Sequence, residues 1–158
     1  MSGEYNRLHA IRNKWVLSEG CALGVCGANA FLTVFEHFNS EIRAEWDGYE
    51  VWRWAVGKIA DFGTELEKDK GKAPWADCSL LFATPLKLML IGPTGGAAPY
   101  GIGEFCARGS GDEYAQGAAF VAKQLGEKEP MRILTLSIQA AMHFDTSCGG
   151  RVWIEKLV

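Results

Sequence analysis

No apolar run in this sequence is long enough to cross a bilayer: the stretch Leu86–Ile91 is broken by Lys87 and falls far short of the ~20 residues a spanning helix needs. The opening MSGEYNRLHA holds no apolar core of a secretory signal. A cytoplasmic protein with no membrane partner is the expectation. Clustered basic charge is missing as well. With 16 Lys and Arg against 19 Asp and Glu, the net charge is −3, and phosphate backbones are bound by grouped cations that release counterions. Nucleic acid is therefore not an expected partner.

Metal-binding and nucleotide signatures are also lacking. The 5 cysteines (Cys21, Cys26, Cys78, Cys106, Cys148) form no CxxC pair and have no histidine at zinc-ligand spacing. They are expected as reduced thiols, and no metal is expected. The Gly/Pro-rich stretch Gly92 to Gly103 has no Gly-Lys-Ser/Thr ending, so turn chemistry accounts for its glycines without a phosphate. No cofactor is predicted.

What is present is the composition of a folded domain: 48% hydrophobic and 22% charged residues in 158, enough to bury a core and too apolar for disorder. One domain spanning 1–158 is expected. Short β-prone runs at His9–Leu17 and Cys21–Cys26 flank Ser18 to Gly20 and predict a hairpin. From Asn29, the apolar residues Phe31, Val34, Phe35, Phe38 and Ile42 recur at helical spacing, and Tyr49, Trp52, Val56 and Ile59 mark a second helix. Strands are expected at Cys78–Ala83, Leu86–Ile91 and Glu104–Arg108, then a helix bearing Tyr114, Gly117, Ala118, Val121, Ala122 and Leu125. Pro130 opens a last helix, and Arg151–Val158 is expected as a closing strand. Pattern alone gives a layered α/β or α+β domain.

Particular residues carry the sequence further. In Gly24-Val25-Cys26-Gly27-Ala28-Asn29-Ala30-Phe31 a strand ends in a small-residue turn that feeds a helix. Arg108-Gly109-Ser110-Gly111 precedes a helix beginning with Asp112, Glu113 and Tyr114, and the tail holds Asp145-Thr146-Ser147-Cys148-Gly149-Gly150. From about Asn6 to the C terminus these segments, in this order, resemble the proteasome β subunits and the bacterial proteasome-like protease HslV. The resemblance implies an α+β, four-layer α-β-β-α sandwich of N-terminal-nucleophile-hydrolase type. It also implies a threonine peptidase chemistry in which the free α-amine of the first residue is general base to its own hydroxyl. On the matching positions, Gly27 would donate an oxyanion-hole N–H. Ser110, Asp145 and Cys148 would surround the amine, and Arg7 would stand where the family has lysine.

Departures from the family pattern set the expected activity. The strand that would carry the threonine is not within this sequence, so the fold is expected N-terminally shortened. Its loss would leave a sheet edge to be covered by the first ten residues, by a partner chain, or by residues upstream of Met1. Arginine at position 7 keeps a positive charge and gives up no proton near neutral pH. Cys148 replaces a serine and is a poorer hydrogen-bond partner for an amine. Removal of Met1 would expose Ser2 as a substitute nucleophile, yet an extended span of up to about 17 Å separates it from Arg7.

Other candidates have plainer explanations. His143, Asp145 and Cys148 are too close in sequence at a helix end for nucleophile, base and orienter geometry. His37 is expected as a half-buried polar tip, and His9 lacks a second ligand. Trp52 is expected in the core, and Trp46 or Trp54 at a subunit contact. Two functions stand. The first is a non-catalytic or degenerate proteasome/HslV-like subunit acting as a self-assembling scaffold or interaction module. The second is a truncated form of an active N-terminal threonine peptidase that degrades unfolded polypeptide in a ring fed by an ATP-dependent unfoldase. Whether the protein is an enzyme stays open at this level.

Overall fold

The computed structural model of the chain describes residues 15–27, 30–62 and 78–157. The described residues form two compact units, one of residues 15–62 and 78–104 and one of residues 105–156. The secondary structure is α+β, with five antiparallel strands and four α-helices among the described residues.

The first unit is a meander in which each strand pairs antiparallel with the next: β1 (Trp15–Ser18), β2 (Cys21–Cys26), β3 (Ser79–Ala83), β4 (Leu88–Ile91) and β5 (Ala97–Tyr100). The alternation of buried and half-buried residues along β2 sets the register. Val16 opposes Leu23, Leu23 opposes Phe82, and Phe82 opposes Met89, while Val25 opposes Leu80 and Leu80 opposes Ile91. These two cross-strand rows are buried throughout. Each fully enclosed Leu, Ile or Phe stabilises the unit by about 1.5–3 kcal/mol.

Two helices of the same unit complete this core. Helix α1 (Ala30–His37) buries Leu32, Val34 and Phe35. It ends earlier than the apolar spacing predicts: a 3-10 turn at Asn39–Glu41 follows, and Ile42, expected on the helix, is buried from an extended backbone. The departure is fixed by two bonds to the hairpin, Asn39 Nδ2 to Leu17 O at 3.2 Å and Ser18 Oγ to Ile42 O at 3.2 Å. Helix α2 (Gly48–Phe62) starts at a reciprocal capping box. Asp47 Oδ1 accepts from Glu50 N–H at 2.8 Å and Glu50 Oε2 accepts from Asp47 N–H at 2.7 Å. It buries Val51, Ala55 and Ile59.

Strand β5 lies inside the stretch expected as loop, and no strand forms at 104–108. Gly92 and Gly96 close a tight turn (Gly92 N–H to Gly96 O, 2.8 Å), which folds Ala97–Tyr100 back onto β4. Pro99 is tolerated because β5 is the outer strand of the described sheet. Residues 104–108 instead follow a turn in which Glu104 N–H bonds Gly101 O at 3.0 Å. Trp52, half-buried, holds the β4–β5 turn: its Nε1–H donates to Pro93 O at 3.1 Å, and its ring lies where a side chain at Gly95 (φ 85°) would go.

The second unit is a helix pair, α3 (Asp112–Gln124) and α4 (Pro130–Phe144). Small residues on α3, namely Ala115, Ala119 and Ala122, are buried, as are Ser137 and Ala141 of α4. Glu129 caps α4 by accepting from Met131 N–H at 3.0 Å and Arg132 N–H at 2.7 Å, ahead of Pro130 at the first helical position. Residues 151–157, expected as a closing strand, carry no regular structure.

Candidate functional site

The second unit brings three sequence-selected residues together at the start of α3 and the end of α4. Ser110 precedes Gly111, the N-cap of α3, and follows Gly109 in a left-handed backbone (φ 128°). Asp145 is the C-cap of α4, its N–H bonded to Ala141 O at 2.9 Å, and Cys148 closes the following turn with its N–H on Asp145 O at 3.0 Å. The approach of the two segments depends on Gly111. A Cβ there would lie 2.7 Å from Cys148 Sγ and 2.8 Å from the Ala141 Cβ, distances no side chain tolerates. Gly111 was legible only as a turn residue of the Gly-Ser-Gly motif; its packing role was not.

The cluster is a chain of polar contacts centred on one carboxylate. Asp145 Oδ1 accepts from Ser147 N–H at 2.8 Å, and Asp145 Oδ2 accepts from the Cys148 thiol at 3.3 Å. Cys148 Sγ is in turn 3.8 Å from Ser110 Oγ. The Ser110 hydroxyl, followed by the Ser147 N–H, holds the Asp145 carboxyl below the usual carboxylate range, so it is ionised at neutral pH. The thiol shifts the opposite way. Burial, reinforced by its hydrogen bond to Asp145, pushes Cys148 above its ordinary value and keeps it protonated. The result is a half-buried anion beside a hydroxyl and a neutral thiol, an arrangement that accepts hydrogen bonds from a cation such as a protonated amine and supplies no strong nucleophile of its own.

The remaining candidates are not part of this described cluster. Gly27 follows β2 in a left-handed backbone (φ 114°) and is exposed, in the first unit. Arg7, Ser2 and His9 lie outside the described residues. His143 packs edge-on against Phe144 at 4.7 Å and, among the described residues, hydrogen-bonds neither Asp145 nor Cys148. His37, expected half-buried, is exposed at the end of α1 and packs edge-on against Phe38 at 4.8 Å. Trp46 and Trp54 are half-buried and packed on the core of the first unit. A void of about 20 Å³ lined by Phe35, Trp52, Ala55, Ile59, Cys78 and Leu80 is apolar and has room for no more than a water molecule. No group of three or more His, Cys, Asp or Glu among the described residues is placed to hold a metal ion. No helix among them is long and apolar enough to cross a membrane.

No family model matches the sequence, and no curated protein matches it either. Solved structures do match. BPH from Thiobacillus denitrificans, in complex with epoxomicin, aligns over 94% of this chain and 82% of its own, with a TM-score of 0.72 and 17% identity. Anbu (ancestral beta-subunit) from Yersinia bercovieri aligns over 87% of this chain and 66% of its own, with a TM-score of 0.58 and 13% identity. Eukaryotic HslV from Trypanosoma brucei aligns over 84% and 73%, with a TM-score of 0.55 and 17% identity. At these identities the likeness is one of fold, and it agrees with the HslV-like fold that the sequence motifs imply.

Proposed function

We propose, from a fold shared with BPH, Anbu and HslV, that this chain is a proteasome/HslV-like subunit in which the peptidase chemistry is degenerate and which acts as a self-assembling scaffold or interaction module. The single observation that carries this reading is the Ser110–Asp145–Cys148 cluster. It keeps the ionised carboxylate and the hydroxyl suited to an α-amine. Where the family pattern has a serine, it sets a thiol that donates to that carboxylate. With Arg7 in place of a lysine, the positive charge near the nucleophile would be permanent and unable to relay a proton. On this reading both compact units belong to one domain, layered as a four-layer α-β-β-α sandwich, with Gly27 at the oxyanion position.

Self-assembly is supported by apolar surface on the second unit. Tyr114, Phe120, Val121 and Leu125 of α3 and its flank are exposed, as is Phe144, which stacks on Tyr114 at 5.5 Å. Exposed apolar surface of this kind marks contact sites between chains. A cytoplasmic homo-oligomer in stacked rings fits these features.

A second reading has its own support. The Asp145 carboxylate stays ionised and accessible, as an amine-holding group of an active N-terminal threonine peptidase would be. Such an enzyme would cleave unfolded polypeptides and draw them from an ATP-dependent unfoldase; in a separate variant Ser2 would be the N-terminal nucleophile. The two readings separate in one assay on protein isolated with its native N terminus: fluorogenic-peptide hydrolysis with and without epoxomicin, the compound bound in the BPH structure. No hydrolysis above background supports the scaffold. Epoxomicin-sensitive hydrolysis overturns it, and its loss in Ser2→Ala would identify Ser2.

A further inference from the structure

Helix α2 turns a charged face away from the core of its unit, and two of its four charges are already engaged. Lys58 Nζ pairs with Glu41 at 2.7 Å, and Trp54 Nε1–H donates to the same carboxylate at 3.0 Å. Glu50 is committed to the capping box with Asp47. Arg53 and Asp61 remain, opposite in sign and without an ion pair among the described residues. They stand about 12 Å apart along the helix, too far to meet each other.

Midway between them is Gly57. A side chain at this position would meet nothing within 4 Å, so packing inside the chain does not require glycine there. A glycine in a helix interior is less stabilising than alanine, because it gives up more backbone freedom on folding. Arg53, Gly57 and Asp61 all line an open groove of about 400 Å³ whose floor includes the half-buried rings of Trp46 and Trp54.

We propose that this face pairs with the same face of a second copy of the chain, the two α2 helices running antiparallel about a two-fold axis at Gly57. Residues 53, 57 and 61 form a single ridge at four-residue spacing. An antiparallel partner sets the partner subunit's Asp61 opposite Arg53, and the partner subunit's Arg53 opposite Asp61. Each leftover charge thereby gains one partner, and the two pairs are reciprocal, as a two-fold interface requires. Glycine against glycine at the crossing lets the backbones come closer than the usual 8–10 Å. The tryptophans beside it supply the aromatic area that concentrates binding energy at interfaces. A basic or an acidic peptide would satisfy only one of the two charges, whereas a second copy satisfies both. One helix crossing is smaller than a standard interface of about 1,600 Å², so the pairing is concentration-dependent.

Gly57→Cys provides the test, because the axis brings the two introduced thiols together. The purified full chain carrying Gly57→Cys, oxidised with copper phenanthroline, is expected to give a disulfide-linked dimer that the unsubstituted chain does not give. Adding Arg53→Asp or Asp61→Arg alone should lower the yield about tenfold, and combining both should restore it. No cross-link above that of the unsubstituted chain overturns the proposal, as does a cross-link indifferent to the charge swaps. Circular dichroism of each variant establishes that the exposed substitutions leave the fold intact. Assembly through the α3 surface is read separately, from particle mass, so the two contacts fail independently.

Discussion

The Cys148 thiol donates to Asp145 Oδ2 across 3.3 Å, so the sulfur acts toward the carboxylate as a proton donor rather than as a nucleophile. Burial and this bond both stabilise the protonated form. Alkylation requires the thiolate. The rate of iodoacetamide labelling at Cys148, followed by peptide mass spectrometry against pH, is expected to rise with a midpoint above that of a free cysteine. Asp145→Asn should move the midpoint down and speed labelling at neutral pH several-fold. Labelling at the rate of a free thiol would contradict the arrangement.

The same two groups set opposite pH limits on stability. Asp145 has a folded-state pKa below its unfolded one, so its contribution is present above about pH 4 and is lost as pH falls through the lower, folded value. Cys148 has a raised folded-state pKa. Its contribution is complete below about pH 8.5 and is lost as pH rises toward the folded value. Thermal unfolding from pH 2 to 10 should therefore fall at both ends, and Asp145→Asn should flatten the acid limb while Cys148→Ala flattens the alkaline one.

Gly111→Ala should be costly although it adds one methyl group. The new atom would press on Cys148 Sγ and on Ala141 Cβ, and Ala141 sits on a helix that cannot yield without moving. A loss of about 1–3 kcal/mol is expected, measured by urea unfolding. Gly117→Ala, where a side chain meets nothing within 4 Å, should be neutral or stabilising.

Trp52→Phe should loosen the β4–β5 hairpin by removing the donor to Pro93 O. The expected cost is about 1 kcal/mol, with faster amide exchange at Gly92, Gly95 and Gly96. Gly95→Ala should cost more, since it combines a left-handed backbone with contact at 3.0 Å to the Trp52 ring.

Much of the first unit was legible in the sequence because strands buried on one face alternate and helices repeat. Leu23, Val25, Leu80, Phe82 and Ile91 announce themselves that way, and their rows align in the sheet. Strand β5 was not legible. Alanine and proline carry no β signal, and its pairing is imposed by the Gly92–Gly96 turn. Ile42 was assigned to the right core by the wrong backbone, because apolar spacing cannot register two hydrogen bonds from Ser18 and Asn39. In the site, Ser110, Asp145 and Cys148 were found through motif resemblance. The closeness that demands Gly111 depends on atoms far apart in sequence, and the direction of the thiol–carboxylate bond depends on the geometry of the turn after α4. Composition and periodicity do not encode them.

Native mass spectrometry of the protein from its own source, after exposure to epoxomicin, tests the central claim most directly. The account predicts a homo-oligomer many times the subunit mass whose subunits carry no adduct. A monomer would contradict the assembly, and an oligomer with epoxomicin bound to an N-terminal residue would contradict the degenerate site.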